Sequence, residues 1–306
     1  MGRYVFRRLL QMIPTLLGVT LLTFVLFDVL GDSPAVLALG RHATPEAIAD
    51  YEHLHGLDRP LVVQYASYLA DLARGDFGFS TEYREPVAKV LANGVGVSLA
   101  LTVPILLLGT AVALLVGLLA AAHAGGRLDR ALLGATTALM SVNYVIWVAA
   151  GQYFLAYRWG LFPLWGFENW TYLLLPILVG VVSGLGSDVR FYRTVILEEA
   201  RRPHVRTAIA KGCSPARVLV VHVLRNALVP VVTNVSLAVP FLFTGSILLE
   251  SFYGIPGLGG IGLSAVNASD YATVRAVVLI GALLYQLSNL GADLLNAWLD
   301  PQARLV

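Results

Sequence analysis

Apolar residues fall in six long runs along the chain, separated by more polar stretches. A helix needs about 20 mainly apolar residues to cross a hydrocarbon core of roughly 30 Å. All six runs reach or nearly reach that length, and the fourth is the shortest and contains several glycines. The runs comprise residues 9–30, 97–122, 131–157, 172–187, 227–249 and 274–299. The pattern therefore predicts an all-α membrane protein with six transmembrane helices.

The first run follows a basic cluster at Arg3, Arg7 and Arg8, which is also how a secretory signal peptide begins. Its apolar stretch is too long for a signal peptide, however, and no small-x-small cleavage site follows it. We therefore expect the first run to be a retained transmembrane helix.

The distribution of Lys and Arg predicts the orientation of the spans, because cytoplasmic loops are enriched in both. The basic N-terminus is placed in the cytoplasm, and the spans alternate from there. The segments then predicted to be cytoplasmic contain Arg127, Arg130, Arg190, Arg193, Arg201, Arg202, Arg206, Lys211, Arg217 and Arg225. The short outer loops contain only Arg158 and Arg275. Six spans with both termini in the cytoplasm fit this distribution.

Two connecting segments are long enough to have functions of their own. Residues 31–96 are predicted to be extracytoplasmic, and their basic residues do not conflict with this because long translocated segments are exempt from the charge rule. The second segment is a cytoplasmic loop at about residues 190–226. The predicted organisation is thus a tail and first helix (1–30), an extracytoplasmic segment (31–96) and a five-helix core (97–306).

The composition agrees with a lipid-facing exterior. The chain is 57% hydrophobic and only 13% charged, with a mean hydropathy of +0.73, whereas soluble domains contain roughly a quarter charged residues. A net charge of +2 does not indicate a nucleic-acid partner. The single cysteine, Cys213, excludes an intrachain disulfide and a cysteine-cluster metal site.

The cytoplasmic loop contains the signals of two short helices joined by a tight turn. Pro203 suits the first turn of a helix, and Gly212 is the residue type that commonly follows a helix C-terminus. Ser214 and Pro215 then suit the N-cap and first position of a second helix. A rigid, basic helix–turn–helix is suited to docking on a partner protein. The alternative is that its positive charge only fixes the membrane topology.

The loop contains the segment Val205-Arg-Thr-Ala-Ile-Ala-Lys-Gly212. This segment resembles the coupling loop of ABC importer permeases, most closely those of the dipeptide, oligopeptide and nickel permease family in its first-permease branch. In that family the loop forms the helix that inserts into the ATPase subunit. The resemblance assigns ATPase coupling to Val205, Arg206, Thr207, Ala208, Ala210, Lys211, Gly212 and Arg217. It assigns support of the following helix to His222, Arg225, Asn226 and Pro230. The family has a tyrosine where this chain has His204.

Family landmarks occur in order along nearly the whole chain. They include Ile13-Pro14-Thr15 at the start, Gly75-Asp-Phe-Gly-Phe-Ser80 in the outer segment and Glu250-Ser-Phe-Tyr-Gly-Ile-Pro-Gly-Leu-Gly259 near the end. Asn289 and Asp293 are further landmarks, which we interpret as interhelical polar groups or as contacts with the solute. Asp188 is expected at the end of the fourth span, paired with Arg190 or Arg193.

The resemblance implies a permease subunit that forms half of a pathway for dipeptides or oligopeptides across a bacterial or archaeal cytoplasmic (inner) membrane. Its implied partners are a homologous second permease, two ABC ATPase subunits (or one used twice), an extracytoplasmic substrate-binding protein and membrane lipid. Within the same fold, the alternative solutes are nickel chelates, glutathione or oligosaccharides.

The chain lacks the motifs of an enzyme. A phosphate-binding loop needs the pattern Gly-Lys-Ser/Thr, and neither of the two lysines, Lys89 and Lys211, lies in one. We therefore expect no cofactor or metal here, with ATP and Mg on the partner ATPase subunits. A secondary transporter driven by an ion gradient is the alternative of a different class, but it typically shows an internal repeat and ionisable residues deep in the membrane, which the sequence does not reveal.

Overall fold

The computed structural model describes residues 2–31, 34–40, 43–244 and 246–299. Most of these residues are helical, and the extended pairing among them is an isolated bridge between Phe79 and Pro86. The prediction of an all-α protein is therefore confirmed for the described part of the chain.

The α-helices are numbered in chain order. They are α1 (Gly2–Phe24), α2 (Pro34–Leu39), α3 (Pro45–His55), α4 (Leu61–Ala73), α5 (Val87–Ala122), α6 (Arg127–Ser141), α7 (Tyr144–Ala150), α8 (Leu174–Ala200), α9 (Pro203–Ala210), α10 (Pro215–Arg217), α11 (Arg225–Thr244), α12 (Ile247–Tyr253), α13 (Leu258–Asn267) and α14 (Tyr271–Leu299). π-Helical turns extend α1 (Val25–Val29) and α7 (Gly151–Arg158) and join α10 to α11 (Val218–Leu224). A 3-10 turn (Trp170–Leu173) precedes α8.

Five helices of the described chain are long and apolar enough to cross a membrane. They are Tyr4–Val29, Val87–Ala122, Trp170–Ala200, Pro215–Leu242 and Tyr271–Leu294. The predicted third span, residues 131–157, is instead two helical pieces that meet at 90°. The bend follows from Asn143, whose side chain accepts a hydrogen bond from the Val145 backbone N–H and so caps a new helix. The described chain therefore has five candidate spans, or six if the bent pair counts as one.

Two further boundaries differ from the prediction. The predicted fourth span, residues 172–187, continues as α8 to Ala200. The predicted fifth span, residues 227–249, begins earlier, at Pro215, and is interrupted before α12, where Ser246 accepts a hydrogen bond from the Leu249 N–H as N-cap. The predicted loop at about 190–226 is thus largely helical, and residues 201–214 connect α8 to α10.

The segment predicted to be extracytoplasmic contains α2, α3 and α4, and α5 begins at Val87 rather than near residue 97. Thr44 caps α3 by accepting a hydrogen bond from the Ala47 N–H, and Gly56 ends it with φ +67°. Ser80 then joins this segment to the start of α14, because its hydroxyl donates to the buried Asp270 carboxylate at 2.5 Å.

Close helix approaches at glycine hold the bundle together. On α5, a Cβ at Gly117 would lie 3.2 Å from the Val189 carbonyl oxygen of α8. On α8, a Cβ at Gly186 would lie 2.9 Å from the Thr136 carbonyl oxygen of α6. Small residues at helix crossings are the usual way in which membrane helices pack closely. In consequence α8 is fixed between α5 and α6.

Arginine–aspartate pairs join the ends of the candidate spans. Arg193 of α8 makes two hydrogen bonds of 2.7 Å to Asp129 of α6. A second pair links Arg275 of α14 to Asp28 beside α1. The third pair links Arg8 of α1 to Asp293 of α14 at 2.8 Å.

A buried carboxylate fastens the α12–α13 turn to α5. Glu250 is fully buried and accepts hydrogen bonds from the Ser98 hydroxyl at 2.8 Å and the Gly260 N–H at 2.9 Å. The Ser98 hydroxyl oxygen in turn accepts from the Leu258 N–H at 2.8 Å. Burial raises the pKa of Glu250, although these donors oppose the shift. The Glu250–Gly259 motif therefore has a structural role in the described chain, because it holds the turn between α12 and α13 against α5.

Candidate functional site

The helix–turn–helix predicted from the loop sequence is present. Pro203 is the first residue of α9, and the helix is followed by Gly212, which has φ +79°. The Ser214 hydroxyl accepts a hydrogen bond from the Arg217 N–H as N-cap, and Pro215 is the first residue of α10. The predicted local structure of this segment is confirmed.

One face of α9 is built into the body of the protein. Val205 and Ala208 are 1% and 6% exposed and belong to a core cluster with Ile196 of α8 and Ala227 of α11. Residues at i and i+3 lie on the same side of a helix, so Val205 and Ala208 form a single inward stripe. These two residues hold α9 in place rather than presenting it to a partner.

The opposite face of α9 and its flanks are exposed. The sequence-predicted coupling residues that lie there are Arg206, Thr207, Ala210, Lys211, Gly212 and Arg217. Ile209, which was not among the predicted residues, is 58% exposed at the edge of this face. The sequence pattern did not reveal its exposure, because a residue four positions after Val205 would be expected on the inward side of the helix. The surface thus combines positive charge with one apolar side chain.

The first turn of α9 is tied to both neighbouring helices through His204. The His204 Nε2 atom lies 3.3 Å from a carboxylate oxygen of Glu199 at the end of α8. The same nitrogen lies 3.2 Å from the Asn226 amide nitrogen of α11 and 3.3 Å from the His222 carbonyl oxygen. Glu199 also pairs with Arg202 at 2.8 Å. The sequence prediction did not include His204 or Glu199, whose interaction arises from the chain reversal between α8 and α11.

The predicted support residues take different parts in this arrangement. Asn226 bonds to His204 and to the His222 backbone carbonyl, so His222 takes part in this arrangement through its main chain. Arg225 is exposed. Pro230 lies inside α11, where it deprives the Asn226 carbonyl of its helical N–H donor.

Asn289 and Asp293 lie on α14 facing α1. Asp293 accepts hydrogen bonds from the Tyr4 hydroxyl at 2.9 Å and from Arg8 at 2.8 Å. Asn289 lines a cavity of about 200 Å³ beside this pair. The observed contacts of Asp293 are interhelical, and its contact with a solute stays a prediction.

The exposed surface of α9 could bind another molecule, but its side chains do not form a catalytic group. Within the described residues, no group of three or more His, Cys, Asp or Glu side chains could hold a metal ion. Apolar helices of membrane-spanning length, together with a short helix whose outer face is exposed and basic, are the features of an integral membrane protein.

Comparisons with known proteins specify the class further. Residues 113–305 match the family described as the binding-protein-dependent transport system inner membrane component, and residues 1–102 match its N-terminal family. The chain belongs to this family of inner membrane permeases, whose transport depends on a binding protein and an ATPase. It is a permease subunit of an ABC transport system, not an enzyme, and its place is the inner membrane.

Relatives match along their full length. A glutathione transport system permease protein of Salmonella typhimurium is 34% identical, over 99% of each chain. A dipeptide transport system permease protein of Alkalihalophilus pseudofirmus is 31% identical, over 98% of this chain and 99% of the relative. A probable peptide ABC transporter permease protein of Sinorhizobium fredii is 30% identical, over 99% and 100%.

Proposed function

We propose that this chain forms half of the pathway by which an ATP-driven importer moves dipeptides or oligopeptides across the inner membrane. The other half is a homologous second permease, and two ATPase subunits, or one used twice, drive the transport. The names of the relatives support a peptide solute, since dipeptides, peptides and glutathione share amide-linked amino acids.

The proposed topology places both termini and α9 in the cytoplasm and residues 31–96 outside. The distribution of basic residues supports it. Exposed aromatic side chains around the connection between the bent third span and α8 support an interfacial position of that connection, because Trp and Tyr gather at membrane interfaces. These are Tyr157, Trp159, Trp165 and Trp170, each more than 60% exposed.

The proposed coupling to the ATPase rests on one observation, which is the difference between the buried and the exposed face of α9. Its inner face is packed against α8 and α11, while Arg206, Ile209 and Lys211 point away from the bundle. An apolar side chain surrounded by positive charge suits a groove with an apolar floor and an acidic rim. We therefore assign α9 to docking in the ATPase, which holds ATP and Mg, while this chain holds no cofactor.

A charge-reversal experiment tests this assignment. The double variant Arg206→Glu, Lys211→Glu should lose about tenfold or more of the ATPase that co-purifies with the wild-type complex, because two attractive charges become repulsive. The matched control is Arg158→Glu, an exposed arginine on the opposite side of the membrane in the proposed topology. Normal recovery of the ATPase with the double variant would contradict docking through α9.

The solute class is tested separately by uptake into membrane vesicles that contain the whole complex and its binding protein. ATP-dependent uptake of a radiolabelled dipeptide is the expected result. Uptake of glutathione without dipeptide uptake would assign the chain to the narrower substrate of its Salmonella relative. Absence of uptake of either solute would refute the peptide proposal.

A further inference from the structure

Asp188 lies in the interior of α8 rather than at its end. The sequence placed it just after the fourth span, but α8 continues to Ala200, twelve residues or about 18 Å further on. Leu174, where α8 begins, is fourteen residues or about 21 Å away in the other direction. Asp188 is also five residues, about 7.5 Å, on the membrane side of Arg193, which marks the level of the α5–α6 turn through Asp129.

The other aspartates in the candidate spans lie near helix ends, and each has an arginine partner. They are Asp28 with Arg275, Asp129 with Arg193, and Asp293 with Arg8. In the part of the chain that the structure describes, Asp188 forms no ion pair. Its expected partners are used elsewhere, because Arg193 binds Asp129 and Arg190 donates to Thr136. The prediction that Asp188 pairs with one of these arginines is therefore wrong for the isolated chain.

The surface around Asp188 combines small and large side chains: Gly184 lies one turn before it, and Phe191, one turn after it, is 41% exposed. Ser187 beside it is exposed, and its hydroxyl donates to the Gly184 carbonyl. The exposed face of α5 is different, since Leu107 and Leu115 are 60% and 62% exposed. Lipid contact suits the α5 surface, whereas it does not suit the carboxylate on α8.

A carboxylate at this depth is costly in hydrocarbon, and such residues face a bundle interior or a water-filled cavity. Asp188 is only partly buried in this chain, so its own bundle does not enclose it. A second permease subunit would complete the enclosure. The unpaired charge is then available to a cation that passes along the interface.

We propose that Asp188 lines the translocation pathway and binds the cationic group of the solute as it crosses. This inference rests on the proposed peptide function. The free amino terminus of a dipeptide is an ammonium group at neutral pH and is a suitable partner for a carboxylate. Asp188 therefore acts as a contact for the cationic end of the peptide on the inner part of its path.

Cysteine labelling tests the position of the carboxylate. The chain has one cysteine, so Cys213→Ser gives a cysteine-free background. In membrane vesicles containing the whole complex, Asp188→Cys should react with a cationic methanethiosulfonate reagent, and a transported dipeptide should slow the reaction. The control Leu115→Cys should remain unlabelled because its side chain faces lipid. Equal resistance of both cysteines to the reagent would refute placement in the pathway.

Transport by charge variants tests binding of the cation. Asp188→Asn should raise the dipeptide concentration for half-maximal uptake about tenfold, the scale of one lost charge-assisted hydrogen bond. Asp188→Glu should retain most of the affinity, and Ser183→Ala, on another face of α8, is the control that keeps both the charge and its contact with Ser187. Unchanged uptake by Asp188→Asn would refute the proposal.

Two further outcomes distinguish failure of this proposal from failure of the proposed function. Loss of the second permease from the purified Asp188→Asn complex would show that the carboxylate pairs with that subunit instead of the solute, which overturns the proposal. If the wild-type complex takes up no dipeptide, the proposed function fails. In that case the labelling experiment still determines whether position 188 faces water.

Discussion

Gly212 is the residue whose replacement tests the coupling element most directly. Its φ of +79° lies in the left-handed region, and an added Cβ would meet nothing within 4 Å. A side chain there therefore causes no collision, and its cost is confined to the backbone. That cost is about 1–2 kcal/mol for an ordinary L-residue. It falls on a turn in which the Gly212 N–H donates to the Ile209 carbonyl at 2.9 Å.

We predict that Gly212→Val uncouples ATP hydrolysis from transport. A penalty of about 1–2 kcal/mol changes a conformational ratio roughly 5–30-fold, so the turn after α9 should leave its native geometry that much more often. Gly212→Asn is the matched control, because asparagine tolerates the left-handed conformation better than other residues with side chains. The quantity to measure is solute transported per ATP hydrolysed in proteoliposomes that contain the complete complex.

The expected result is a several-fold lower transport-to-hydrolysis ratio for Gly212→Val and a ratio near wild type for Gly212→Asn. Amounts of co-purified ATPase should be compared in the same preparations, so that loss of assembly is not mistaken for uncoupling. A wild-type ratio for Gly212→Val would refute the role of this turn. Equal defects in both variants would show that the side-chain volume matters and that the backbone argument is wrong.

Two predictions concern stability, each measured by thermal unfolding of the purified complex in detergent. Ser98→Ala should cost about 1–3 kcal/mol, because it leaves the Leu258 N–H and the Glu250 carboxylate short of a buried partner; an unchanged midpoint would contradict this. Asp129→Asn should cost about 3 kcal/mol, because Arg193 loses a bidentate partner that is 3% exposed. Transition midpoints within error of wild type would mean that water replaces the carboxylate.

Local sequence signals predicted the elements whose causes are local. The long apolar runs indicated the spans, and Pro203, Gly212 and Ser214 indicated the ends of the two short helices. Each of these signals acts within one helical turn, through capping or through the φ preference of the residue. This is why the helix–turn–helix was predicted correctly to within about a residue.

Long-range contacts explain what the sequence did not reveal. The prediction ended the fourth span at Ser187, where the apolar run ends, yet α8 continues beyond it, and α6 supplies partners for Arg190 and Arg193. The bend at Asn143 was missed because an apolar run conceals a single capping residue. Consequently the depth of Asp188 was misjudged, since it depends on where α8 ends.

The proposed docking helix α9 and the inferred solute contact Asp188 are mechanically connected through α8. Val205 is packed on Ile196, and His204 contacts Glu199, so the start of α9 cannot move without the end of α8. Asp188 lies eight residues from Ile196 on the same helix, about 12 Å along its axis. Helices transmit displacement as rigid rods when their side chains are close-packed, as α8 is against α5 at Gly117. Closure of the ATPases on α9 should therefore reorient the Asp188 carboxylate without any intervening flexible segment.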